Sequence, residues 1–463
     1  MLLFYIMINR YYSNLDNYIQ PGKVLIIYGP RRVGKTTLIK NFLSKKGKEI
    51  NIKIDDGGDI SVQETLSSLN LDKLRRYVGN NNIIVIDEAQ YVPNIGQSIK
   101  LLVDHVEGVN IILSGSSSLS LGNLLGEPLT GRSIDLLLYP ISQLELSSYI
   151  GKYELEKNNE EYLIFGSYPE VLTSVSFEDK AKYLLNLVNS YIFKDILSLE
   201  KIKGAKILLD LLRLLAFQIG NEVSLSELAS SLSIDSKTVA RYLDLLEKSF
   251  IIYRLGGFSR NLRSEVTNKS KYFFFDNGVR NAIINNFNTL NMRDDVGKLW
   301  ENFLIIERTK RQKYLGNNVN PYFWRTYEQN EIDYIEEAGG ILSPYEFKYS
   351  SLKKNKGSKI FEREYPQTKV NTINKDNYID FVCLPDDINF TNLSEFPNGR
   401  YLLQIEMQYP YIREEIGIII NNMKSNSSDE WILVKKQLED LLKKKVKEED
   451  TEKFKELIEG IRI

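Results

Sequence analysis

The chain has 463 residues, enough for about two to four domains, and its 43% hydrophobic and 26% charged content is that of an ordinary folded protein. A formal net charge of −1 excludes a global basic field for nucleic acid, so any such surface must be a local patch. A single cysteine, Cys383, excludes an internal disulfide, and a single histidine, His105, in the helix-like run Leu-Leu-Val-Asp-His-Val, reads as an ordinary helix position rather than the centre of a metal site or triad.

Met1 to Ile8 is apolar but has neither a basic leader nor a small-residue cleavage site, so it is not read as a signal peptide. No run reaches the roughly 18 apolar residues of a membrane span. A cytoplasmic protein without membrane contact is expected.

The first unit is placed at residues 1–150. Val24-Leu-Ile-Ile-Tyr28 reads as a short buried strand. It runs into Gly29-Pro30-Arg31-Arg32-Val33-Gly34-Lys35-Thr36, followed by Thr37 and a helical run to Leu43. This strand–loop–helix context is the one in which a GxxxxGK[ST] pattern binds phosphates. The glycines let backbone N–H groups close around the phosphates, and the helix N-terminus adds its dipole. Lys35 would reach the β- and γ-phosphates and Thr36 would supply a hydroxyl to Mg²⁺. The implied cofactors are ATP and Mg²⁺.

A second strand, Asn82 to Ile86, ends in Asp87-Glu88. Such a pair puts its first acid on the Mg²⁺ shell and its second beside the attacking water, making Glu88 the general base. A third strand, Val109 to Leu113, ends in Ser114-Gly-Ser-Ser. Ser114 is the first candidate to sense the γ-phosphate, with Ser116 and Ser117 as competitors. Arg132, in Thr130-Gly131-Arg132, would neutralise transition-state charge in cis or from a neighbouring subunit of a homo-oligomer. It reads equally as a structural ion-pair partner. Alternating strands and helices predict an α/β fold with a doubly wound parallel sheet, the nucleotide at the carboxyl ends of its strands.

On the stretches GPRRVGKTTL, IIVIDEAQYVPN, IILSGSSS and LTGRSIDLLLYPISQLEL the chain resembles a prokaryotic family of AAA-type P-loop ATPases. Later stretches resemble that family's downstream domain of unknown function: FGSYPEVL, YFFFDNGVRNAI, GKLWENFLIIE, FWRTYEQNEIDYIEE and YEFKYS. The resemblance covers about residues 1–382. It implies an AAA-type ATPase domain, then a winged-helix unit, then a nuclease-like α/β domain.

The second unit is placed at 151–270. Helical spacing is read at 180–200 and at 205–219. A short helix within Ser224–Ser233 and a third at about Ser236 to Lys248 have helix–turn–helix spacing. Ile251-Ile-Tyr-Arg-Leu would begin a wing. Lys237 and Arg241 are the candidate DNA contacts on the third helix, joined around the wing by Arg254, Arg260, Arg263, Lys269 and Lys271. Asp235, Asp244 and Glu247 lie in the same helical region, so a structural spacer or protein contact is the competing reading.

The third unit is placed at 271–382. Glu331-Ile-Asp333 and Glu346-Phe-Lys348 read as neighbouring strands, each with its polar residues on one face. Asp333 and Glu346 could hold a divalent metal, with Lys348 positioning a water and Glu301 adding a ligand from a helix. The order helix-acid, Asp, Glu-x-Lys is similar to the PD-(D/E)xK nuclease core. An active metal-dependent nuclease and a degenerate fold that only holds DNA or protein both remain open. Residues 383–463 read as a linker and a Lys/Glu-rich amphipathic helix, outside the resemblance.

The function expected is Mg-dependent ATP binding and hydrolysis driving a DNA-associated switch or motor. The alternatives are an ATP-regulated nuclease and a signalling or scaffold ATPase with protein partners.

Overall fold

The computed structural model describes residues 8–116, 127–192, 205–259, 270–326, 328–350, 356–384, 428–444 and 451–459, with single positions at 419 and 446. The amino-terminal part is an α/β unit. Its strands are β1 (Val24–Tyr28), β2 (Ile52–Asp56), β3 (Ile83–Asp87), β4 (Asn110–Gly115) and β5 (Ser133–Leu137). They form one parallel sheet in the order β2-β3-β4-β1-β5.

The inner strands are apolar throughout because both faces are covered. In β1, Leu25 and Ile27 enter one core while Val24 and Ile26 enter the other. In β3, Ile83 and Val85 face the first core, and Ile84 and Ile86 the second. The second core is closed by α2 (Ile60–Leu66), α3 (Leu71–Val78) and α4 (Ile95–His105). The first is closed by α1 (Lys35–Ser44), through Leu38, Ile39, Phe42 and Leu43, and by α5 (Gln143–Lys157). His105 is the exposed last residue of α4.

Beyond α5 and α6 (Asn159–Phe165), a helical segment leads to α7 (Leu225–Leu232) and α8 (Ser236–Lys248). Ser224 and Asp235 cap their N-termini with side-chain hydrogen bonds. The remaining strands are β6 (Glu222–Val223), β7 (Ile252–Gly257), β8 (Ser270–Phe274), β9 (Asn320–Arg325), β10 (Glu331–Ala338), β11 (Ile341–Phe347) and β12 (Asn371–Ile373). They make a second sheet in the order β12-β11-β10-β9-β7-β8-β6. The β7–β8 hairpin is antiparallel, and β7 runs parallel to β9. The division read at 270/271 falls at the first residue of β8, inside this continuous sheet. Between β8 and β9 lie α9 (Asn277–Ile283) and the long α10 (Val296–Tyr314).

The first core does not stop at the parallel sheet. It runs from Tyr11 through α5, α8 and α10 to Leu384 as one contiguous cluster. The described residues of the carboxyl-terminal segment include two helices, α11 (Ser428–Lys444) and α12 (Thr451–Glu459). Trp431, Val434 and Leu438 of α11 and Phe454 and Ile458 of α12 are buried. The linker read at 386–397 lies outside the described residues. Among the described residues no helix is long and apolar enough to cross a membrane.

Candidate functional site

Parallel strands bring all their carboxyl ends to one edge, and the loop from Gly29 to Thr36 leaves β1 at that edge. Gly29 and Gly34 have φ of 143° and 96°, the region that favours glycine. A Cβ on Gly29 would fall 2.0 Å from the Leu138 carbonyl oxygen, so the loop admits no other residue there. Arg32 also has positive φ. Lys35, buried at the first position of α1, folds its ammonium back onto the carbonyls of Gly29 (2.9 Å) and Pro30 (2.8 Å). Thr36 Oγ1 donates to Asp87 Oδ2 at 2.7 Å.

Because β4 lies between β1 and β3, the end of β4 lands beside both the loop and Asp87. Ser114 there is buried and donates to the other oxygen, Asp87 Oδ1. Ser116 accepts instead from Gln90 Nε2 at 3.2 Å. Ser117 lies outside the described residues. Glu88 follows in a left-handed conformation, φ 50° and ψ 40°, rare for a residue with a side chain. Its N–H donates to Asp87 Oδ1 (3.0 Å), and its carboxylate accepts from Gln90 Nε2. Gly57 packs against this turn: its N–H donates to the Asp87 carbonyl at 2.7 Å, and a Cβ on it would lie 2.5 Å from the Glu88 carbonyl oxygen. Arg31 donates to Tyr91 Oη (2.8 Å), and Arg32 lies 3.8 Å from Glu170.

Beside the loop is a cavity of about 250 Å³, open to solvent, which Gly34, Thr37 and Leu38 share with Arg10, Ile141 and Pro169. Arg10 is buried and central. Its guanidinium donates to Glu145 Oε1 (2.9 Å), to the Val33 carbonyl inside the loop and to the Tyr139 carbonyl (2.6 Å). Burial alone would lower its pKa, but the Glu145 carboxylate and Tyr314 together hold it above the ordinary value. Motif reading missed Arg10, Gln90 and Gly57. The one available signal for Arg10 was a cation beside tyrosines just ahead of the first strand.

Arg132 is not brought to this site. It precedes β5, and its carbonyl accepts from Val24 N–H at the amino end of β1. Five residues of strand, roughly 16 Å, separate it from the loop edge. Its Nε pairs with Asp104 at 2.7 Å. The cis catalytic role is therefore corrected to the ion-pair reading, because a parallel sheet puts the two ends of β5 on opposite edges.

A second polar cluster sits in the seven-stranded sheet. Tyr334 of β10 pairs with Tyr345 of β11, which makes Asp333 and Glu346 cross-strand neighbours. Phe347 N–H donates to Asp333 Oδ2 at 2.7 Å, and Lys348 Nζ lies 2.6 Å from Glu346 Oε1. Glu301, from α10, and Glu331 complete the group. Carboxylate oxygens of Glu301, Glu331 and Asp333 lie within 4.8 Å of one another. Burial first, and then the Asp333 charge, pushes the Glu346 carboxyl up to about 7. Lys271 also enters the cluster. Its ammonium reaches Glu301 Oε1 at 2.9 Å and bonds Glu331 Oε1. It lies on β8 of the hairpin read as the wing but is buried, so the expectation that it adds to a basic DNA-contact face is corrected. Burial would lower its pKa, but Glu301, Glu331 and Asp333 overcome that and raise it.

Lys237 and Arg241 are exposed one turn apart on α8, whose inner face buries Val239, Tyr242, Leu243 and Leu246. Asp244 is exposed on the same helix and bonds Lys248 at 2.8 Å. Arg254 donates to Ser270 Oγ (2.8 Å) within the hairpin. Arg260, Arg263 and Lys269 lie outside the described residues.

Residues 21–147 match the family model described as an AAA domain. Residues 156–290 and 296–386 match two domains of unknown function, DUF8612 and DUF4143. The chain is similar to an uncharacterized protein of Methanocaldococcus jannaschii, 25% identical over 371 residues, covering 76% of this chain and 81% of that one. It is 26% identical over 343 residues to an uncharacterized protein of Mycobacterium tuberculosis, covering 73% of each. Solved structures with some likeness include Drosophila ORC bound to DNA (14% identity, 59% of this chain and 92% of that chain, TM-score 0.20). Another is a DNA polymerase III gamma subunit-related protein from Thermotoga maritima (12%, 50% and 96%, TM-score 0.21). At such scores the two structures carry no argument about this chain. The amino-terminal unit thus carries the match to an AAA domain, in a chain with relatives in archaea and bacteria.

Proposed function

We propose that the chain is a Mg-dependent ATPase that hydrolyses ATP at the loop 29–36. The observation that carries this reading is the convergence of two hydroxyls, Thr36 Oγ1 and Ser114 Oγ, on the single carboxylate of Asp87. The donor set fits a magnesium triphosphate. Thr36 and Asp87 offer hard oxygen ligands side by side. The Lys35 ammonium rests on carbonyls that it can exchange for β- and γ-phosphate oxygens. Bound Mg²⁺ would supply charge neutralisation of the phosphates. Ser114 orients Asp87, and Gln90 orients Glu88, which accepts the proton of the attacking water. The cavity suits the base and ribose, with Leu38, Ile141 and Pro169 as apolar wall and Arg10, Thr37 and Asn41 among its polar groups. A cytoplasmic location belongs to the same reading. Arg132 could meet a nucleotide only on a neighbouring copy in a homo-oligomer.

The use of the ATP is read as DNA-associated switching. Lys237 and Arg241 form an exposed cationic pair on α8, suited to phosphate contact. The α7–α8 pair with its following hairpin is read as a winged-helix unit, and the seven-stranded sheet as nuclease-like.

One set of ATPase assays tests both parts. Lys35→Ala should lose nucleotide binding, and Glu88→Gln should bind ATP but turn it over at least about a hundredfold more slowly. Wild-type turnover in either variant would remove the assignment. Duplex DNA should raise the wild-type rate, and Lys237→Ala/Arg241→Ala should blunt that rise. A rate indifferent to single- and double-stranded DNA would favour the protein-scaffold reading.

A further inference from the structure

The nuclease-like reading of the seven-stranded sheet implies a divalent metal ion among Glu301, Asp333 and Glu346, and the residues present do not fit one. We propose that Lys271 is the resident cation of this cluster, its ammonium filling the place a divalent ion would take. The unit then holds no divalent metal while Lys271 is seated. The proposal goes beyond the ATPase reading and does not depend on it.

Carboxylate oxygens of Glu301, Glu331 and Asp333 lie within 4.8 Å of one another, an approach of like charges that a neighbouring cation stabilises. Lys271 supplies that cation. Lys271 Nζ is 2.9 Å from Glu301 Oε1, bonds Glu331 Oε1, and has a side chain only 1% exposed. A metal ion would need oxygens at about 2.0–2.6 Å and would have to share this pocket with a buried ammonium. Further cations and a backbone donor approach the same carboxylates. Arg325 Nε approaches Glu331 Oε2 at 3.6 Å, Lys348 Nζ lies 2.6 Å from Glu346 Oε1, and Phe347 N–H donates to Asp333 Oδ2. The placement is not accidental to a mobile side chain. Lys271 lies on β8 between β7 and β6, and its ammonium also lies 5.3 Å from the centre of the Phe323 ring. A cation tethered to the sheet gives up no translational entropy on binding and cannot be chelated away. The cluster therefore keeps the shape of a metal site with an internal ammonium in place of an ion. It serves as a fixed structural centre or polar binding surface rather than as a hydrolytic one.

The test counts Mn²⁺ bound by the nucleotide-free full chain, with Asp87→Asn in every arm to silence the loop 29–36. The background protein should bind no Mn²⁺ that depends on Asp333. Adding Lys271→Met should create a single Mn²⁺ site, at least an order of magnitude tighter than any background binding, with a matching Mn²⁺-dependent rise in Tm. Adding Asp333→Asn as well should abolish both. A background site lost on Asp333→Asn overturns the proposal, and so does a folded Lys271→Met chain that gains no site. If Lys271→Met does not fold, the background titration decides alone: an Asp333-dependent site overturns the proposal, and its absence supports it.

Discussion

Arg10 carries its charge into the interior, and Glu145 is the carboxylate that balances it, with side-chain exposures of 7% and 0%. Glu145 also accepts from Tyr11 N–H and from the backbone and hydroxyl of Ser142, which closes the capping box of α5. One carboxylate thus holds the arginine, the helix start and, through Arg10, the Val33 carbonyl of the loop 29–36. Glu145→Gln removes the charge and leaves Arg10 buried without compensation. It should cost about 3–5 kcal/mol of stability, read from the urea midpoint, with weaker nucleotide binding beside it. A change under about 1 kcal/mol would mean that water, not Glu145, solvates Arg10. Gly57 and Glu88 follow the same logic in backbone form: the glycine exists so that the strained turn after Asp87 can be touched at close range.

At the scale of the element, α9 depends on its N-cap. Asp276 accepts from Val279 N–H (3.1 Å) and from Ser167 N–H (2.7 Å) in a buried junction beside Lys310. Gly166 and Gly278 leave room for this junction, since a Cβ on either would lie 2.0 Å from a neighbouring oxygen. Burial outweighs these hydrogen bonds and raises the carboxyl from 3.8 to about 6. The folded state therefore holds a proton that the unfolded chain releases near 3.8. The stabilisation is complete below that value and is lost as pH rises toward 6. Asp276→Asn cannot titrate, so its stability should decline less between pH 4 and 6 than that of the wild type. Parallel stability–pH curves for the two proteins would show that Asp276 does not titrate in this window.

Across the whole molecule, α10 joins the two polar centres. Glu301 near its start stands in the carboxylate cluster, and Tyr314 at its end meets Arg10 (3.4 Å) and Tyr139 N–H (3.3 Å). The span is roughly 20 Å at 1.5 Å per residue. Midway, Glu307 accepts from Gln143 N–H at 2.6 Å, pinning α10 to the first turn of α5. With one core extending from Tyr11 to Leu384, the parallel sheet and the seven-stranded sheet should melt together. Calorimetry of the full chain should show one dominant transition whose calorimetric and van 't Hoff enthalpies agree. Well-separated peaks for the two sheets would contradict a shared core.

What the amino-acid sequence determined by itself was local. The buried strands, the loop 29–36, the Asp87-Glu88 pair and the helices within 225–248 were legible because their signals lie within a few residues of one another. The alternation in β10 and β11 likewise placed Asp333, Glu346 and Lys348 together. Tertiary structure decided everything that depends on distant partners. Arg10 finds Glu145 across 135 positions and Tyr314 across 304. Lys271 finds Glu301 and Glu331 across 30 and 60. Arg132 went the other way: its neighbourhood in sequence suggested catalysis, while the direction of β5 carried it to the far edge of the sheet. The reason is physical. A motif declares its chemistry through backbone geometry that its own residues impose, whereas a buried charge takes its role from whichever opposite charge the fold delivers to it.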